Sequence, residues 1–390
     1  MDEVAAYLRL LKTPGLGARK TKLLSEAFGS AEAILSASDR QLLAVEGIGK
    51  SIVSALRRHQ KVDGEFARAE LQRAKNLGID ILAFSDTSYP LALKSIHDPP
   101  AVLYVKGDLH CVAMSFQQLK SVAIVGTRQA DGYGLKQARL LASDLSRRGI
   151  AIVSGLARGI DSAAHEGCLH SASGSVDSGA ATIAVLGASL DHIYPRENKG
   201  LARAILEQAG ALVSEYCIGT APRAKNFPAR NRIIVGLSRA CVVIQGGKKS
   251  GAMISADYAM EEGRSVFALP GNVDTDISEG PLMLLKQGAN VLADYRDILE
   301  EFDWHSKTTT ESTGKPSAQV GLFPKSAPLP TLSAEEQALL QHLSRQTGST
   351  IDRLCKESTL SSATVLALLN KLSLLNLVER QANGRYVRQG

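Results

Sequence analysis

SVAIVGTRQADGYGLKQARLLASDLSRRGIAIVSGLARGID, residues 121–161, is the stretch that decides the fold. A β-branched run, Ser121–Val125, stops at Gly126. A helical pattern over Tyr133–Arg148 stops at Gly149. A second apolar run, Ile150–Val153, runs into Ser154 and Gly155, and Asp161 opens another helix. Strand, helix and strand in that order predict parallel strands joined by a crossover helix. The alternation continues with apolar runs at Ala181–Leu186, Ala211–Glu215, Ala240–Ile244, Ser265–Ala268 and Ala289–Leu292. Helical stretches at 199–208, 231–237, 255–262 and 282–287 lie between them. The fold class expected is α/β, a doubly wound parallel sheet within residues 66–303. Ligands of such sheets bind at the carboxyl ends of the strands.

The flanks read differently. Residues 1–65 are rich in helix formers and carry two similar turns, Pro14-Gly15-Leu16-Gly17 and Glu46-Gly47-Ile48-Gly49-Lys50. Two glycines around one apolar residue, followed by a helix, resemble helix-hairpin-helix motifs, whose backbone N–H groups approach phosphates. A purely connecting role for the turns stays open. Residues 66–120 read as a connecting region with turns at Tyr89-Pro90 and Asp98-Pro99-Pro100 and a short strand at Ala101–Val105. Residues 304–332 are rich in Ser, Thr, Lys and Pro, the composition of a linker. Residues 333–390 form a separate unit: helices from Ser333, over 349–356 and over 361–375, then a hairpin turning at Asn383-Gly384. That order is a winged-helix pattern. Its third helix carries one charge, Lys371, few donors for reading base edges. Residues 171–179 read as a flexible insertion.

The chain has 390 residues, 44% of them hydrophobic, and a net charge of +6, a balance that favours a polyanionic partner. The five cysteines form no CxxC or CxxxC pair, which argues against a disulfide framework and a zinc site. No apolar run reaches the roughly 18 residues of a membrane span, and the N-terminus lacks a signal-peptide pattern. A cytoplasmic protein with no membrane association is expected.

Four strand ends carry the chemistry. Gly126-Thr127-Arg128 is glycine-rich without being GxGxxG, and no acid follows the next strand to hold a ribose. A nicotinamide enzyme is disfavoured, whereas Arg128 suits a bidentate phosphate contact. Ser154-Gly155 follows the second strand. Asp161 and His165 lie four apart, but two ligands make no metal site, and an acid at a helix start with a buried histidine accounts for them. Arg223, Lys225, Arg230 and Arg232 with Phe227 form the densest basic run of the sheet domain. Cations there track a phosphate backbone, and Phe227 is the expected base-stacking residue. At least one of Arg230 and Arg232 is expected to pair internally. The fourth loop, Gly246-Gly247-Lys248-Lys249-Ser250-Gly251, opens a helix in the manner of a phosphate loop. It is not Walker A. A similar loop occurs in nucleoside-monophosphate phosphoribohydrolases, but Ser255 stands where their catalytic glutamate would be. Donors without a nucleophile or base suggest binding, so no enzymatic activity, cofactor or metal is expected, with a Rossmann-fold nucleotide hydrolase as the alternative.

Several motifs resemble the DNA-processing protein A (DprA/Smf) family: YPLALKSIHDPPAVLYVKGD at 89–108, GTR at 126–128, SGLARGID at 154–161, DHIYPREN at 191–198, FPARNR at 227–232 and SGAMISADYA at 250–259. The similarity runs over nearly the whole chain. It implies a sterile-alpha-motif-like helical module, an extended Rossmann-like DNA-binding domain and a winged helix. It further implies a homodimer through the Rossmann domain that binds and protects single-stranded DNA in natural transformation and loads the RecA recombinase. The family's DNA pocket falls on Gly126, Thr127, Arg128, Ser154, Gly155, Lys225, Phe227, Arg230, Asn231 and Lys249, with Arg232 completing the RNR match. Ala252 and Ser255 replace threonines common in the fourth loop, and Gln245 stands where glutamate is frequent.

Overall fold

The computed structural model describes residues 3–59, 63–108, 120–172 and 181–304, and in the C-terminal region 339, 342–343, 349–358, 360–374, 378–380 and 386–388. The chain forms two compact units that divide at Thr308.

The first unit begins with helices α1 (Glu3–Leu11), α2 (Ala18–Phe28), α3 (Ala31–Ser36), α4 (Asp39–Leu43), α5 (Lys50–His59) and α6 (Asp63–Leu77). The two glycine turns lie between α1 and α2 and between α4 and α5. Gly15 (φ +80°) and Gly47 (φ +83°) take the left-handed backbone there. Position 65 falls inside α6. Next come β1 (Asp80–Ala83), α7 (Leu91–Lys94) and β2 (Val102–Gly107). The region expected to be a connector with one short strand thus contributes two strands to the sheet, β2 where that strand was expected and β1 in addition. DILA at 80–83 is too short to show a period of two.

The alternating core follows: β3 (Ser121–Val125), α8 (Gly132–Ser146), β4 (Ala151–Ser154), α9 (Ile160–Ala172), β5 (Thr182–Val185), α10 (Lys199–Glu207), β6 (Ala211–Ser214), α11 (Asn226–Gly236), β7 (Ala240–Val243), α12 (Gly251–Glu261), β8 (Ser265–Ala268), α13 (Glu279–Lys286), β9 (Asn290–Val291) and α14 (Tyr295–Phe302). The sheet order is β1-β2-β6-β5-β4-β3-β7-β8-β9. Strands β3 to β9 run parallel, while β2 is antiparallel to both β1 and β6. Strands β3 to β8 are buried on both faces, hence their continuous apolar runs. Val122 and Ile124 face α8 and α9, and Ala123 and Val125 face α11 and α12. The chain winds from β3 through β6 on one side, then returns to β7 on the other. The switch point therefore lies between β3 and β7, where an open sheet leaves a crevice.

Two helices start earlier than their sequence patterns suggest. α11 begins at Asn226 rather than 231, because Pro228 sits in its first turn, where no intrahelical N–H bond is lost. α12 begins at Gly251 rather than 255. The second unit contains α15 (Ile351–Ser358), α16 (Ser362–Leu374) and a hairpin of β10 (Val378–Arg380) and β11 (Tyr386–Arg388). Leu354, Val365, Leu369, Leu372, Val378 and Tyr386 form its own core. Ser349 and Tyr386 exchange backbone bonds of 2.8 and 2.9 Å, so the chain before α15 pairs with the wing. The wing's Asn383-Gly384 turn, residues 305–332 of the linker, residues 333–338 and residues 173–179 of the insertion lie outside the described residues.

Candidate nucleic-acid interface

The ends of β3, β4 and β7, with the starts of α11 and α12, enclose a groove of about 770 Å³. Its first wall is the turn after β3. Thr127 N–H donates to the Gln245 carbonyl at 2.7 Å, and the Thr127 carbonyl accepts from Ile160 N–H at 3.3 Å. A Cβ on Gly126 would lie 2.7 Å from Ile160 Cβ and 3.0 Å from the Gln245 oxygen, so only glycine lets β3, β7 and α9 close this tightly. Arg128, the next residue, is exposed and lines the groove.

The loop after β4 is the floor. Gly155 N–H donates to Asp161 Oδ2 at 3.1 Å, and Ala157 N–H to the same oxygen at 3.4 Å. Burial raises the Asp161 pKa above the ordinary carboxylate value, with Arg230 and these N–H groups acting against it. Ser154 is fully buried and its Oγ donates to the Ile124 carbonyl at 2.7 Å, so its hydroxyl is committed inside the sheet and does not line the groove. Asp161 and His165 do not converge on a shared ligand position. His165 Nδ1 meets Thr182 Oγ1 at 2.7 Å, and burial pushes its pKa down to about 3.

The basic run separates into three kinds of residue. Arg230 is 4% exposed and donates to the carbonyls of Gly155, at 2.7 Å, and Val185. Burial lowers its pKa to about 10, with Asp161 opposing and Arg128 reinforcing the shift. It forms part of the groove floor. Arg232 lies away from the groove lining and makes a bidentate pair with Glu215 at 2.6 and 2.7 Å. Its Nε donates to the Asp98 carbonyl at 2.8 Å. Both arginines pair internally, one more than the minimum expected, because α11 starts early enough to carry both into the protein. Asn231 Nδ2 donates to the Gly251 carbonyl at 3.1 Å and ties α11 to α12. Lys225 and Lys249 are exposed and lie outside the groove lining. Phe227 is half-buried in the groove, with the Arg128 guanidinium 5.3 Å from its ring centroid.

Three features extend the sequence reading. Tyr194 packs on Phe227 with ring centroids 5.4 Å apart. Arg158 also lines the groove and pairs with Glu197. At the start of α12, the hydroxyls of Ser250 and Ser255 are buried without a hydrogen-bond partner, and both residues line the groove. Ser250 makes no side-chain cap on α12, which leaves the positive end of that helix at the groove. The DHIYPREN motif marked Tyr194 in the sequence, but its spacing gave no sign that the ring meets Phe227.

The family profile described as DNA recombination-mediator protein A matches residues 80–303, and the DprA winged helix domain profile matches residues 323–384. The chain belongs to the DNA recombination-mediator protein A family. Protein Smf of Synechocystis sp. is 33% identical over all of this chain and 99% of its own length. DNA processing protein DprA of Bacillus subtilis is 41% identical over 60% of this chain and 75% of its own. For Protein Smf of Escherichia coli, 44% identical, the match spans about half of the relative, 54%. Among solved structures, DNA processing protein A from Streptococcus pneumoniae superposes with a TM-score of 0.64 at 31% identity, covering 77% of this chain and 99% of that one. A structure addressing the single-stranded DNA binding mode of DNA processing protein A from Helicobacter pylori matches with a TM-score of 0.50 at 31% identity, covering 58% and 97%. Within the described residues, no helix is long and apolar enough to cross a membrane.

Proposed function

We propose that this chain binds single-stranded DNA along the β3–β7 groove and acts as a recombination mediator for DNA taken up in transformation. In this reading it is a cytoplasmic homodimer, joined through the sheet domain, that protects the strand and loads a RecA recombinase on it. The observation that carries the DNA reading is the exposed Arg128 guanidinium beside the Phe227 ring, on which Tyr194 packs, in one groove with the uncapped start of α12. Cations follow phosphates, rings take unpaired bases, and helix-start donors take a further phosphate. The relatives named above support the same reading. The hydrolase alternative lacks a carboxylate at Ser255, and the neighbouring acid, Asp161, is buried against backbone N–H groups.

A mobility-shift series with single-stranded and duplex oligonucleotides at several salt levels tests it. Single strands are expected to bind more tightly, with log affinity falling by about 0.7 per log salt for each phosphate contacted. Arg128→Ala is expected to flatten that slope. Equal affinity for duplex, or an unaltered slope in the variant, would count against the groove.

A further inference from the structure

Phe227 is the ring the sequence offers to a base, but its surroundings are already occupied. Arg128 lies 5.3 Å and Tyr194 5.4 Å from its centroid. A Cβ on Gly187 would lie 2.8 Å from Phe227 Cδ1, so the main chain closes on the ring's edge as well. Tyr194 is the open ring, 43% exposed. It lines a recess together with Phe227, Arg128, Arg158 and Arg230. The segment that carries it is anchored: Asn198 Nδ2 donates to the Leu156 carbonyl at 2.8 Å and to Ser162 Oγ at 2.9 Å. Arg158 is tied to Glu197 in that same segment.

We propose that Tyr194 is the stacking surface for one unpaired nucleobase, with Phe227 as its rigid backing and the adjoining cations on the flanking phosphates. This rests on the single-strand reading and gives it a physical basis. A base inside a duplex has both faces covered by its neighbours, whereas an unstacked base presents a face to an aromatic side chain. The pair therefore selects for single strands without reading sequence, since every base has such a face.

The test titrates the full chain with a thymidine oligonucleotide and with an abasic oligomer carrying the same number of phosphates. The wild-type chain is expected to bind the thymidine oligomer more tightly. Tyr194→Leu, which keeps an apolar contact with Phe227, is expected to lose about five- to 150-fold in affinity for the thymidine oligomer. Its affinity for the abasic oligomer and its salt slope are expected to stay as in wild type. Tyr194→Phe restores thymidine binding. A single 2-aminopurine in the strand, quenched on stacking, is expected to dim with the wild-type chain and to stay bright with Tyr194→Leu. Equal losses on both oligomers, or no loss on either, would overturn the stacking role while leaving single-strand binding intact. Failure of the wild-type chain to bind either oligomer would overturn both readings.

Discussion

Arg128 and Arg232 are the same residue type in different roles: one lines the groove, the other holds the fold. Arg128 is exposed with its guanidinium by a ring, and removing it takes away a groove cation but little packing. Arg232 is 8% exposed and holds Glu215 with both nitrogens of its fork. Burial disfavours its charge, but Glu215 outweighs that and raises its pKa. Truncating it leaves a largely buried carboxylate unpaired, a change that costs on the order of 3 kcal/mol. Arg232→Ala is thus expected to lower the unfolding free energy by that order, and Arg128→Ala to stay within about 0.5 kcal/mol of wild type. Urea unfolding followed by circular dichroism separates the two. The basic run was legible as a run, but not its division, because composition does not say which cations the helix turns inward.

At the scale of elements, the strands were the most legible part. Val, Ile and Ala runs buried on both faces leave little choice of structure. Helix starts were harder, since Pro228, three residues before the expected start of α11, sits in its first turn. The pairing of α9 with the sheet carries a further consequence. His165 is fully buried, held at Nδ1 by Thr182, which itself donates to the Ile152 carbonyl at 3.0 Å. Its pKa of about 3 lies below the ordinary 6.5, so the folded chain refuses a proton that the unfolded chain accepts. The stability this gives is complete above pH 6.5 and is lost as the pH falls toward 3. One pH unit below 6.5 the loss amounts to about 1.4 kcal/mol. His165→Gln removes the titrating group, so the stability gap between wild type and variant is expected to narrow by that amount from pH 7.5 to 5.5. Parallel curves from urea unfolding at the two pH values would refute it.

For the whole molecule, the two ends of the chain stand in different relations to the groove. The N-terminal helices are not a detachable module. Leu8, Leu24, Ile34 and Leu56 share one core with Tyr104 of β2, Leu212 of β6 and Ile205 of α10. Glu70 of α6 accepts the Tyr104 hydroxyl at 2.9 Å and Ile218 N–H at 2.7 Å. The second of these bonds fixes the loop that leads into α11, and hence Phe227. The C-terminal unit has its own core, and every groove residue named above lies in the first unit. A chain ending at residue 308 is therefore expected to melt cooperatively and to keep the single-strand affinity and salt slope of the full chain. A chain starting at residue 78 uncovers the apolar face of β2 and β6 and frees the α11 loop. It is expected to precipitate or to melt well below the full chain, and any soluble fraction to bind single strands weakly. Thermal melts and titrations of the two truncations check both halves. A stable, fully binding 78–390 chain would show that the shared core contributes nothing to the groove. Loss of binding in the 1–308 chain would place part of the interface on the winged helix.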